Sequence, residues 1–128
     1  MILDTSALMS IVLGEADAPA FVAALQTGVP VAMSAASWLE AAIVAESRAG
    51  LTPQGLDEAL DWIAPEVVPV TLDQVRLARE AHRRFGRGRH KAALNFGDCF
   101  AYALARERNA PLLFKGDDFS QTDVKAAI

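Results

Sequence analysis

Four short stretches of the chain each carry a carboxylate beside small polar residues. They are Asp4 in "ILDTSAL", Glu40 in "SWLE", Asp98 in "LNFGDCFAYALA", and Asp117 with Asp118 in "KGDDF". Each acid has a structural reading of its own. Asp4 suits the cap of a helix starting at Thr5 or Ser6. Ser37 and Glu40 fit an S-x-x-E capping box, and Asn95 with Asp98 a weaker relative of it. Asp117 and Asp118 follow Gly116, as turn residues do. Asp98 stands out, because it interrupts an apolar stripe (Phe96, Cys99, Phe100, Ala103, Leu104) spaced by threes and fours. A carboxylate beside a packed apolar face is costly to desolvate unless it gains hydrogen bonds or a cation.

As a set, the acids point to metal chemistry. Carboxylates held together repel one another and drift toward protonation unless a cation sits among them. Oxygen donors favour Mg²⁺ or Mn²⁺ over softer metals. Zinc is disfavoured: His82 and His90 stand apart, there is one cysteine, and no H-E-x-x-H occurs. Other chemistries fit poorly. Cys99 lies on an apolar helical face and reads as core. The stretch "GRGRHK" is not a phosphate-binding G-x-x-x-x-G-K-[ST] loop.

The elements that must position these residues alternate along the chain. Short apolar strands are expected at 1–3, 31–33, 67–70 and 111–114. Helices are expected over 6–13, 18–26, 37–49 (closed by Gly50), from Thr52–Pro53 to about 63, 72–85 and 96–109. This order implies an α/β fold, a parallel sheet of short strands flanked by helices on both faces. Such sheets bind ligands beyond the carboxyl ends of their strands. Asp4 follows the first strand, Ser34, Ser37 and Glu40 the second, and Asp117 and Asp118 the last. Asp98 opens the helix before that last strand, so all four segments can meet at one edge.

With 128 residues, 52% hydrophobic and 22% charged, the chain is read as a single folded domain over 1–128. No apolar run is long enough to span a bilayer, no leader is visible, and the lone cysteine suits a reducing compartment. A cytoplasmic location is expected, with no membrane contact. The net charge is −4, yet "RRFGRGRHK" holds Arg83, Arg84, Arg87, Arg89 and Lys91 without an acid. Such a strip serves either as a local polyanion contact or as a solvated loop. The helices over 18–26 and 37–49 are apolar around more of their circumference than one core stripe needs, which suggests an interface.

The four acidic motifs, in this order over nearly the whole chain, resemble the toxins of VapBC toxin–antitoxin systems, which are PIN-domain ribonucleases. The resemblance implies a three-layer αβα PIN fold and a Mg²⁺- or Mn²⁺-dependent endoribonuclease. Its substrate would be structured RNA, either tRNA or rRNA, cut by a metal-activated water. It also implies a homodimer, a VapB-type antitoxin and a higher toxin–antitoxin assembly. Carried over residue by residue, Asp4, Glu40 and Asp98 match the central metal-binding acids. "GDDF" offers two fourth acids, with Asp118 expected to be fixed by structure and Asp117 to reach the metal. Thr5, Ser6 and Asn95 are the expected supporting residues, and Arg87, Arg89 and Lys91 the expected RNA contacts. The alternative is a catalytically silent PIN-like module that only binds a partner protein.

Overall fold

The computed structural model describes residues 1–47 and 53–128. The elements run β1 (Ile2–Leu3), α1 (Thr5–Leu13), α2 (Ala18–Leu25), β2 (Ala32–Ser34), α3 (Ala35–Ser47), α4 (Pro53–Ile63), β3 (Glu66–Val68), α5 (Leu72–Phe85), α6 (Phe96–Glu107) and β4 (Leu112–Leu113), followed by a 3₁₀ turn at Phe119–Gln121. The strands form one sheet in the order β3-β2-β1-β4, and every pairing is parallel.

Strict alternation of side chains across the sheet builds two cores. Ile2, Ala32 and Leu112 point to one face, where they pack with Ala78, Ala81 and Phe85 of α5 and Cys99, Tyr102 and Leu104 of α6. Leu3, Met33 and Leu113 point to the other, against Ala7 and Leu8 of α1, Phe21 of α2, Ala41 of α3, and Leu56 and Leu60 of α4. Neighbouring residues of one strand thus serve opposite cores, and the result is the expected three-layer αβα arrangement.

Two expectations shift. The third strand ends at Val68, ahead of Pro69, because proline has no N–H to give a ladder. The third helix starts two residues early, at Ala35. Ser34 at the end of β2 explains this, since its Oγ accepts the Ala36 N–H at 3.3 Å. Ala49, Gly50 and Thr52, expected at helix ends, lie outside the described residues.

Because each strand is two or three residues long, the chain leaves the sheet almost as soon as it enters. Polar residues placed after a strand therefore sit directly on its carboxyl edge.

Candidate active site

Asp4 leaves β1 with the extended backbone of a helix cap (φ −88°, ψ 154°). Its Oδ2 accepts the Ser6 N–H at 2.9 Å and the Ser6 hydroxyl. Ser6 Oγ in turn accepts the Lys115 N–H at 2.9 Å, tying the exit of β4 to the exit of β1. Asp4 is buried. Burial pushes its pKa up to about 6; the Ser6 bonds oppose that rise, and the charges of Asp98 and Glu40 add to it.

Glu40 and Ser37 do not form the capping box that "SWLE" suggests, because α3 has already begun at Ala35 and both lie inside it. Glu40 is bound instead across the fold. Thr5 Oγ1 donates to its Oε2 at 2.8 Å and also contacts the Ser37 carbonyl at 3.1 Å. Thr5 thus orients Glu40, while Ser6 orients Asp4.

Asp98 completes a full capping box on α6. Asn95 Oδ1 accepts the Asp98 N–H at 2.9 Å, and Asp98 Oδ2 accepts the Asn95 N–H at 2.8 Å. The positive end of the helix dipole further favours a carboxylate there. Burial still holds the Asp98 carboxyl above its ordinary pKa, against the Asn95 N–H and with added repulsion from Asp118 and Glu40.

Gly97, a residue type that suits close approach, finds its partner in the fold. A Cβ at this position would lie 2.6 Å from Glu40 Oε2 and 2.7 Å from its Cδ. The missing side chain lets the α3 carboxylate rest against the first turn of α6.

These groups line one cavity of about 280 Å³, with Asp118 at its rim and Met9, Val44 and Phe119 as apolar wall. The two acids of "GDDF" are placed differently. Asp118 lines the cavity, Asp117 does not, and Asp118 raises the Asp98 pKa. The reason is local: Asp118 is the cap residue of the 3₁₀ turn whose first residue, Phe119, is buried against Phe114. Lys115 also lines the cavity, with its Nζ bound to Glu15 at 2.7 Å and Asp17 at 3.2 Å. Its position beside "GDD" was the only signal for it in the sequence.

The basic residues divide. The loop is pinned at its base, where Leu94 N–H donates to the Phe85 carbonyl at 2.9 Å and Arg87 N–H to the Leu94 carbonyl at 3.0 Å. Arg87 is near enough to Asp98 to favour its charged form. Arg89 instead lines a larger groove of about 770 Å³ between α5 and α6, which holds no carboxylate. Exposed Lys91 lines neither. His90 is structural, its ring edge-on to Phe85 at 5.3 Å and its Nδ1 accepting the Ala92 N–H.

The donor set suits a hard cation. Asp4, Glu40 and Asp98 each commit one oxygen to Ser6, Thr5 or Asn95, and no hydrogen bond engages the other among the described residues. No histidine or cysteine lines the cavity. Among the described residues, the expected trio Asp4, Glu40 and Asp98 is not drawn into a three-ligand cluster; each acid is held by its own hydrogen-bond partner, Ser6, Thr5 or Asn95. Mg²⁺ needs no such cage, since it keeps several waters and takes one or two carboxylates. Acids on this edge can hold one divalent cation beside an approaching phosphate.

Known proteins similar to this chain share one family and one fold. The PIN domain family model matches residues 1–125. Ribonuclease VapC30 of Mycobacterium tuberculosis is 48% identical over 97% of this chain and 95% of its own length. Ribonuclease VapC of Mycolicibacterium smegmatis is 50% identical over 98% of both. Among solved structures, M. tuberculosis VapC20, described as a sarcin–ricin loop cleaving toxin, superposes with a TM-score of 0.76 at 19% identity, covering 96% of this chain and 95% of that one. A toxin–antitoxin complex from Klebsiella pneumoniae gives 0.70 at 16% identity, over 95% of this chain and 92% of that one.

Proposed function

The chain belongs to the PIN-domain family, among its VapC ribonucleases, and from that premise we propose that the acidic cavity is its catalytic centre. It is an endoribonuclease and the toxin half of a toxin–antitoxin pair. In our reading Asp4, Glu40, Asp98 and Asp118 are the functional acids, Mg²⁺ or Mn²⁺ is the cofactor, and structured RNA, tRNA or rRNA, is the substrate. The observation that carries this reading is the convergence of carboxylates from four separate segments on one cavity at the carboxyl edge of the sheet.

The chain's own residues do three things there. Ser6, Thr5 and Asn95 each fix one carboxylate, so the negative field is set before substrate arrives. Burial of Asp4 and the crowding of Asp98 by Asp118 and Glu40 store repulsion that a cation relieves. The apolar wall of Met9, Val44 and Phe119 limits water on one side of the cavity. A divalent cation held by one or two of Asp4, Asp98 and Glu40, with water completing its shell, would supply Lewis acidity, acidifying water and offsetting charge on the phosphate. Arg87 and the loop that carries it would draw RNA toward an edge that otherwise repels it.

For partners, we propose a homodimer and an antitoxin contact involving α3. This helix buries Ser37, Ala41 and Ala45 and leaves Trp38, Leu39 and Ile43 exposed at 38%, 56% and 54%. An exposed apolar stripe of that kind marks an interface. No single helix is long and apolar enough to cross a membrane, and a cytoplasmic location fits the RNA substrate.

The test is RNA cleavage by the purified chain, stripped with EDTA and resupplied with Mg²⁺ or Mn²⁺, with 5′ ends of cellular RNA mapped after brief expression. Metal-restored cleavage that survives loss of Asp98 would overturn the assignment.

A further inference from the structure

The larger groove has a chemistry of its own. It runs between α5 and α6 and is lined by Arg79, His82, Arg83 and Arg89, with Phe96 and Phe100 along one wall. Phe96 is 81% exposed, an unusual place for a large apolar ring at the start of a helix. Phe100 stands edge-on to it at 4.9 Å between ring centres. No acid lines the groove, although the chain as a whole is acidic.

The ion pairs sharpen the picture. Arg76, Arg84, Arg106, Arg108 and Lys115 are each matched to a carboxylate. Among the described residues Arg79, Arg83, Arg87, Arg89, Lys91 and Lys125 have no such partner, and all of these but Lys125 belong to α5 or the loop after it. Cations left unpaired on one surface of an acidic protein create a local field for a polyanion. Charge alone accounts for phosphate but gives an exposed aromatic ring no purpose. Single-stranded nucleic acid uses both, since its backbone follows cations while its bases stack on aromatic faces. Phe96 and Asp98 lie in the same first turn of α6, only about 3 Å apart along the helix axis. The two side chains leave that turn on opposite faces, so a strand whose phosphate reaches the acidic cavity can cross the helix end and lay a base further along on the Phe96 ring.

We propose that the α5–α6 groove is a binding site for single-stranded RNA flanking the cut, with Phe96 as the stacking platform and Arg79, Arg83 and Arg89 as phosphate contacts. The proposal rests on the ribonuclease reading of the neighbouring cavity and adds to it an unpaired, unstacked strand as the form in which substrate is held.

The experiment measures binding of fluorescein-labelled oligo(A) and oligo(U) RNA to the whole chain in EDTA by anisotropy, with a single 2-aminopurine reporting base stacking. Phe96→Ala should weaken binding about tenfold or more and abolish the 2-aminopurine quench, with an unchanged melting temperature because the ring is exposed. Phe96→Leu should behave like the alanine variant and Phe96→Trp like the parent, which separates a stacking role from bulk. Arg79→Ala with Arg83→Ala should flatten the log–log salt dependence by roughly 0.7 for each phosphate no longer neutralised. Asp98→Asn, which leaves the groove intact, should keep the quench while cleavage falls; undiminished cleavage there would sink the acidic-site reading without touching the groove. Unchanged affinity and quench in both the Phe96 and the arginine variants would overturn the proposal. So would a loss of self-association or antitoxin binding in those variants with RNA binding intact, which would make the groove a protein contact.

Discussion

On one side of the first turn of α6, carboxylates from four segments converge on a cavity of about 280 Å³; on the other, unpaired cations and two aromatic rings border a groove of about 770 Å³. On the acidic side Asp4 is buried, Glu40 and Asp98 are half-buried, and all three are tied by hydrogen bonds, whereas the arginines of the basic side are exposed and unpaired. A site that holds a cation must concentrate negative charge, and that charge repels the phosphate it acts on. Two unit charges 4 Å apart interact by about 1 kcal/mol in water and about 4 kcal/mol at an effective dielectric of 20. A phosphate approaching several carboxylates thus meets a barrier that a few adjoining arginines can offset. Chemistry and attraction are separated onto two faces of one helix end, so substitutions on the two faces should have different signatures.

The largest effect is expected on the acidic side. Asp98→Asn keeps shape and some hydrogen bonding but removes charge, and should lower the single-turnover cleavage rate by about 10³-fold, roughly 4 kcal/mol of transition-state stabilisation. Oligonucleotide affinity should hold or rise, because one repelling charge is gone. Equal losses in rate and affinity would erase the distinction between the faces.

Gly97→Ala tests how closely the acids must be set. Alanine is the better helix former by about 1 kcal/mol, so stability alone predicts no harm. Displacement of Glu40 should nonetheless lower the cleavage rate by about tenfold to a hundredfold. Adding Glu40→Asp, one methylene shorter, should recover part of the loss. A Gly97→Ala variant with full activity would show that the approach to Glu40 is incidental.

On the basic side, Arg87→Ala with Arg89→Ala should weaken RNA binding and reduce the salt slope by roughly 0.7 for each phosphate released, while the rate at saturating RNA changes little. A slope equal to that of the parent would return the loop to the status of solvated surface.

The smallest effect concerns proton linkage. The Asp4 pKa rises from 3.8 to about 6 on folding, chiefly through burial, so the folded chain holds this proton more tightly than the unfolded chain. The associated stability is full below about pH 4 and is lost as pH rises through about 6. In EDTA, Asp4→Asn should therefore melt a few degrees above the parent at pH 7 and level with it near pH 4. A lower melting temperature at pH 7 would mean that the Ser6 hydrogen bonds outweigh burial.

Much of this comparison was legible in the residues. The stripe of α5 gave its boundaries, 72–85, as they stand, and Asp4 and the Asn95–Asp98 box cap their helices as composition suggested. "SWLE" misled because Ser34, three residues upstream, already satisfies the start of α3. Which of Asp117 and Asp118 lines the cavity depends on how Phe119 packs, which neighbouring residues do not encode. The glycine at position 97 suggests a close approach, but its partner Glu40 is far away in sequence and only the fold identifies it. Arg83 stood out as part of the basic strip, whereas Arg79, one turn earlier, carried no signal until the ion pairs elsewhere showed which cations were left without partners.

The central claim is that the four-segment acidic cavity holds a divalent cation. The most direct measurement is titration of Mn²⁺ into the EDTA-stripped chain, followed by calorimetry and by loss of the free-ion paramagnetic resonance signal. The account predicts saturable binding that Asp98→Asn weakens at least tenfold while Asp117→Asn leaves it unchanged; identical isotherms for the parent and Asp98→Asn would contradict it.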